Sequence, residues 1–131
     1  MNFWLLAAAA ALTLIGVTHS AMGERRIFQP WRTAPPAQVR RHHQVILRAS
    51  WHLPTLLGLG QATAIAWMAA SPPAQWPAPA LGLAMLGAMA LGVAGCGLLV
   101  AVATRGRHQG GVAMLAAAAL IARGMQQGTG A

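Results

Sequence analysis

Four long apolar runs separated by polar stretches make up most of the chain. The first covers about residues 3–21 and holds the string LLAAAAALTLIGV; the others cover about 50–70, 79–103 and 109–127. At about 1.5 Å per residue, a helix of ~19 residues reaches ~28 Å, close to the ~30 Å hydrocarbon core of a bilayer. Each run is therefore expected to be a membrane-spanning helix. The fourth is the shortest, with apolar sequence from Gly110 to Ala122 before Arg123 interrupts. Extended over residues 109–127 it still spans, and Arg123 then lies near its far end, where its long arm reaches the headgroups. A re-entrant segment, or an Arg123 buried in the bundle, is the alternative.

The polar stretches set the expected orientation. Arg25, Arg26, Arg32, Arg40, Arg41 and Arg48 lie between the first two runs, and Arg105 and Arg107 between the last two. The connection SPPAQWPAP carries no charge. Arginine-rich loops stay in the cytoplasm, so loops 22–49 and 104–108 are expected inside and both termini outside. The first run is expected to remain as a span rather than be cleaved as a signal peptide. Residues 1–5 hold no Lys or Arg, and His19 would occupy the third position before a cut after Ala21.

Composition agrees. Hydrophobic residues are 56% and charged residues 8%, against roughly 25% charge in soluble domains. A water-facing surface cannot be covered with so few charges, whereas a lipid-facing surface needs none. The fold class is thus all-α, an integral membrane four-helix bundle and a single membrane domain. The net charge of +8 comes from nine Lys and Arg, all arginine, against one acid, Glu24. Placed between apolar runs, the arginines act as topology signals, and Arg25, Arg26, Arg48, Arg105 and Arg107 as contacts to anionic headgroups. Nucleic acid is not an expected partner.

Within the third run, Ala84, Ala88, Gly92 and Cys96 recur at i+4. Such a ridge of small side chains lets another helix approach closely, so these four are the expected helix-packing positions. Trp4, Trp51, Trp67 and Trp76 fall near the expected interfaces and suit an aromatic belt. Pro30, Pro35 and Pro36 deny the first loop a continuous helix, and AQVRRHHQVILR after them suits a short interfacial helix. If the second helix begins near residue 50, Pro54 sits harmlessly in its first turn; if it begins near Gln38, Pro54 interrupts it and frees a carbonyl around Ser50.

Candidate chemistry gathers on the cytoplasmic side. His19 ends the first run, His42 and His43 lie in the long loop, His52 opens the second run, and His108 precedes the fourth. Histidines beside a lone carboxylate can bind a divalent metal or pass protons, so His19, Glu24 and His52, with His108, form the candidate metal set. His19 and Glu24 are about 140° apart on an ideal helix and converge only if the helix ends between them, for which Gly23 could serve as a C-cap. Arg48 and His52 share a helix face, and a Glu24–Arg48 bridge would tie the first two spans together. No HExxH, CxxC or nucleophile elbow occurs, and no histidine lies deep enough in a run to hold haem.

THSAMGERRIFQP, RASWHLP and RGRHQGG resemble the motifs of a group of small, uncharacterised bacterial inner-membrane proteins. Those carry HSxxGER after a first helix, a WH pair opening a second, and a GRH-like stretch before a fourth. The resemblance implies four spans in a bacterial inner membrane and adds weight to His19, Glu24, Arg48, His52 and His108; it implies no activity. The short fourth run, broken by Arg123, departs from the longer last span of the group.

Three function classes follow. Without a catalytic or pore signature, the first is a non-enzymatic accessory subunit with no cofactor, partnered by the lipid bilayer and by a larger membrane complex or its own copies. The second is a metal- or proton-handling protein using the His/Glu cluster. The third is a membrane enzyme acting on a lipid or quinone, with Arg48 holding an anionic head and His52 as base.

Overall fold

The computed structural model describes residues 1–34, 36, 38–76 and 78–129, so Pro35, Ala37, Pro77, Gly130 and Ala131 lie outside the described residues. These residues fold into helices, and none of them is in a strand. Helix α1 covers Phe3–Gly23, a π-helical turn Glu24–Phe28 follows without a break, and α2 continues over Gln29–Thr33. Helix α3 covers Arg41–Ala70, α4 Pro79–Ala103 and α5 Gln109–Thr129.

Two expectations about the first loop are corrected. Gly23 does not cap α1; its backbone is right-handed helical and the chain winds on through the wider π turn. A glycine in helical conformation with no proline until Pro30 gives the helix no reason to stop. Nor does the second helix begin at residue 50. RHHQVILR holds neither Gly nor Pro, so the expected interfacial helix and the span fuse into one 30-residue rod. Pro54 therefore lies inside α3, where its missing N–H leaves the Ser50 carbonyl without its helical donor. The long loop shrinks to residues 34–40.

The helices pack in the order α3–α1–α5–α4, each antiparallel to its neighbour, and α3 scarcely touches α4. This is an open row and not a closed ring. Asn2 ties one end together. Its Oδ1 accepts from the Leu5 N–H (3.2 Å), capping α1, while its Nδ2 donates to the Gly124 carbonyl (2.7 Å). Its backbone N–H donates to the carbonyl of Ala69 (2.8 Å). One side chain and its own amide thus join α1, α3 and α5. The core runs along the α1 seams through Leu5, Ala8, Leu12, Ile65 and Ile121.

The small-residue ridge of α4 faces away from the rest of the chain: Ala84, Ala88, Gly92 and Cys96 are all exposed. The face that meets α5 carries Leu86, Val93 and Gly97. Leu86 lies about 160° round the helix from both Ala84 and Ala88, so the two faces cannot serve one neighbour. Close approach is made instead where Gly97 faces Gly111: a Cβ on either would lie 3.0 Å from the other's carbonyl oxygen. Trp76 also departs from the expected belt. It is buried against Gly82, with its indole N–H donating to the Ser71 carbonyl (3.2 Å).

Three helices are long and apolar enough to cross a membrane: Phe3–Thr33, Arg41–Ala70 and Pro79–Ala103. Helix α5 is not among them, because Arg123 and the glutamines at 109, 126 and 127 dilute its apolar run. Large apolar side chains cover the outside, with Leu91 76% and Leu99 69% exposed, as suits contact with lipid rather than water. Arg123 is exposed near the Asn2 end, its guanidinium 6.0 Å from the Trp4 ring centroid and bonded to Gln126 Oε1 (3.1 Å).

Candidate functional site

Every arginine except Arg123, and every histidine, belongs to the opposite end of the row. Here the π turn aims Glu24 across the α1–α3 seam. Arg48 grips it with two bonds, Nε to Oε2 (3.1 Å) and Nη2 to Oε1 (2.7 Å). Arg32, from α2, adds a third to Oε1 (3.3 Å). Paired donors matched to a carboxylate make the stronger kind of ion pair. With Arg48 43% and Glu24 25% exposed, water still screens it, and the pair is worth about 1 kcal/mol. The bridge expected between the first two long helices is present.

His52 stands behind the bridge, and the directions of its hydrogen bonds follow from proton counting. Thr55 Oγ1 donates to the Gly16 carbonyl (3.1 Å), which uses its only proton. Ser20 Oγ therefore donates to Thr55 Oγ1 (2.8 Å). Its own proton spent, Ser20 accepts from His52 Nδ1 (2.8 Å). The chain of bonds thus places a proton on Nδ1 and turns Nε2 toward Glu24 Oε2, 3.7 Å away. That distance is within ion-pair range and too long for a hydrogen bond.

His19 points elsewhere. Its ring stacks on Trp51 with centroids 4.5 Å apart and planes within 7°. Each ring also bonds the other residue's backbone: His19 Nε2–H donates to the Trp51 carbonyl (3.2 Å), and Trp51 Nε1–H to the His19 carbonyl (3.2 Å). The stack lies directly over Gly23, where a Cβ would come within 1.9 Å of the indole nitrogen. Phe28, buried at the end of the π turn, makes T-shaped contacts with Trp31 (centroids 5.4 Å apart) and Trp51 (6.0 Å).

Of the candidate metal set, Glu24 and His52 come together, while His19 is committed to Trp51. His108 belongs to the α4–α5 turn, where its Nδ1 accepts from the Gly110 N–H (3.0 Å). Among the described residues no three His, Cys, Asp or Glu side chains are grouped to hold a metal ion. His19 misses the carboxylate because the helix continues through Gly23 and keeps the two residues on different sides. Arg105 and Arg107 lie in the same α4–α5 turn, both exposed; Arg25 and Arg26 are exposed on the π turn.

The polar chain from Glu24 through His52, Ser20 and Thr55 to Gly16, hydrogen-bonded from His52 onward, covers about 12 Å along α1, less than half of the ~30 Å core. It joins two helices at one edge and is too short to carry protons across a bilayer. Ser20, Thr55, Phe28 and the Trp51 lock were not expected from the sequence, although a signal was present. Gly16, Ser20 and Gly23 recur at i, i+4 and i+7 on α1, and Arg48, Trp51, His52 and Thr55 at i, i+3, i+4 and i+7 on α3. These are two complementary faces, one small and one polar–aromatic. No protein-family model, curated protein or solved structure matches the chain.

Proposed function

We propose that the protein is a non-enzymatic accessory subunit of a bacterial inner membrane that packs through α4 against another membrane protein. The observation that carries this reading is the outward ridge of Ala84, Ala88, Gly92 and Cys96. Its own chain covers the other face of α4 and leaves this one for a neighbour, and small residues at i+4 are how helices approach closely in lipid. At the basic end of the row, the Glu24 carboxylate is held by Arg48 and Arg32, which suits a clamp better than a reacting group.

The chain crosses the membrane four times, with both termini outside and the arginine-rich edge in the cytoplasm. Helix α5 supports the fourth crossing. It packs lengthwise between α1 and α4, both able to span, so it shares their depth. Its 21 residues reach about 31 Å. The arginine distribution supports the orientation.

Cys96 is the only cysteine and is exposed on the ridge, so it reports on the contact directly. Thiol-directed cross-linking in native membranes is expected to join Cys96 to a different membrane protein in a fixed ratio. Ala88→Leu should abolish the adduct and Leu14→Ala, on an exposed face of α1, should keep it. Finding only uncross-linked chain, or only Cys96–Cys96 dimers, would overturn the accessory reading.

A further inference from the structure

A groove of about 540 Å³ opens at the basic edge between α2 and the first turns of α3. Phe28, Trp31 and Arg32 line it from the α1–α2 side, and Arg41, Gln44 and Arg48 from α3. Its size falls within the ~300–1,000 Å³ range of small-ligand sites. The α3 contributors Arg41, Gln44, Val45 and Arg48 recur at i, i+3, i+4 and i+7, so they present one continuous face.

Charge and depth together identify what fits. Arg32, Arg41 and Arg48 line the groove, and the one carboxylate beside it, Glu24, pairs with Arg32 and Arg48, which leaves two of the three positive charges uncompensated. Arg48 spends Nε and Nη2 on Glu24, and Arg32 one Nη2, so both keep guanidinium protons to donate. Arg41 is exposed and has no ion pair among the described residues. The groove therefore presents donors to an anion beside an aromatic, apolar wall.

Helix lengths fix the depth. The 31-residue Phe3–Thr33 helix reaches ~46 Å and the 30-residue α3 ~45 Å, each about 15 Å longer than a ~30 Å hydrocarbon core. Asn2 ties the start of α1 to the end of α3, so the two helices are flush at that end and the excess emerges at the other. The groove is built from this excess, which places it in the headgroup layer.

We propose that the groove binds an anionic phospholipid, its phosphate held by Arg41 with the spare protons of Arg48 and Arg32. Trp31 and Phe28 lie against the glycerol and upper acyl carbons. The site goes beyond the α4 contact and rests on the membrane placement proposed above. The test uses the full chain. Flotation with phosphatidylcholine vesicles first establishes insertion, and a chain that does not float fails as a membrane protein before the groove is probed. Phosphatidylglycerol is then titrated onto detergent-solubilised protein and the bound lipid counted by native mass spectrometry.

One phosphatidylglycerol is expected to be retained in preference to phosphatidylcholine. Arg41→Gln should weaken it about fivefold, the effect of one surface charge, with an unchanged unfolding temperature. Arg40→Gln, next in sequence and outside the groove, should have little effect. Equal losses in the two variants, or equal retention of the two lipids, would overturn the proposal. So would full competition by millimolar inorganic phosphate, which would make the groove a site for free anions.

Discussion

At the scale of single residues, the edge between α1 and α3 is decided by what is small. Gly16 and Gly23 lie on the same face of α1, yet their surroundings differ. A Cβ at Gly16 would rest 3.5 Å from the Thr55 methyl group, an ordinary contact. At Gly23 it would fall 1.9 Å from the Trp51 indole nitrogen, whose ring is held by the His19 stack and by its own bond to the His19 carbonyl. Gly23→Ala is therefore expected to destabilise the protein by about 2 kcal/mol, in the range of core overpacking, while Gly16→Ala changes stability by less than about 0.5 kcal/mol. Thermal unfolding in detergent, followed by tryptophan fluorescence, separates the two. Equal effects would mean that the indole is not locked over Gly23.

At the scale of elements, the ends of the helices hold most of the departures from expectation. The α4–α5 connection is a Schellman turn: the Gly106 N–H donates to the Ala101 carbonyl (2.7 Å) and the Arg105 N–H to Val102 (3.1 Å). The C′ position, where glycine is favoured, is held by Arg105 at φ 52°. A left-handed backbone costs a side-chain-bearing residue roughly 1 kcal/mol. Arg105→Gly should accordingly raise stability by about 1 kcal/mol, seen as a higher unfolding temperature. A fall would show that the Arg105 side chain holds the turn through contacts that outweigh the strain. The ends of α1 and α3 are longer than their apolar runs because polarity does not stop a helix. Glycine strain, proline or a missing cap does. RHHQVILR holds no glycine or proline, and ERRIFQPWRT passes its one proline, Pro30, because the π turn leaves it in the first turn of α2, where a missing N–H is tolerated.

At the scale of the whole molecule, the row α3–α1–α5–α4 leaves α3 and α4 each with a single principal neighbour. An open row buries less apolar surface than a ring, which lipid tolerates because hydrocarbon is as favourable to leucine as a protein core is. Its predicted topology can be read with single cysteines on a Cys96→Ala background. With both termini outside, a membrane-impermeant maleimide added to intact cells should label Gln127→Cys and leave Arg107→Cys unlabelled. Shielding of both positions would mean that α5 does not cross. Labelling of Arg107→Cys alone would reverse the orientation.

Much of this was legible along the chain. Hydrophobic runs long enough for a bilayer mark helices by composition alone, so α4 was placed at 79–103 and α5 within two residues of its end. Arginine clustering placed every charged group but Arg123 at one end, and the lone acid with Arg48 on a facing helix made their bridge foreseeable. The partners of individual side chains were not legible, because they depend on rotation about each helix axis. Whether the ridge at Ala84 or the face at Leu86 meets α5 changes no local preference and is chosen only by how all the helices pack. The same holds for His19, which a continuous π turn separates from Glu24 and delivers to Trp51. The sequence by itself determined that the chain is helical, where its apolar lengths lie and which end is basic, since these follow from local composition. Only the tertiary structure decided which faces meet, that the row stays open, and that a directed chain from His52 through Ser20 to Thr55 stands behind the ion pair. Those depend on contacts between residues more than 30 positions apart.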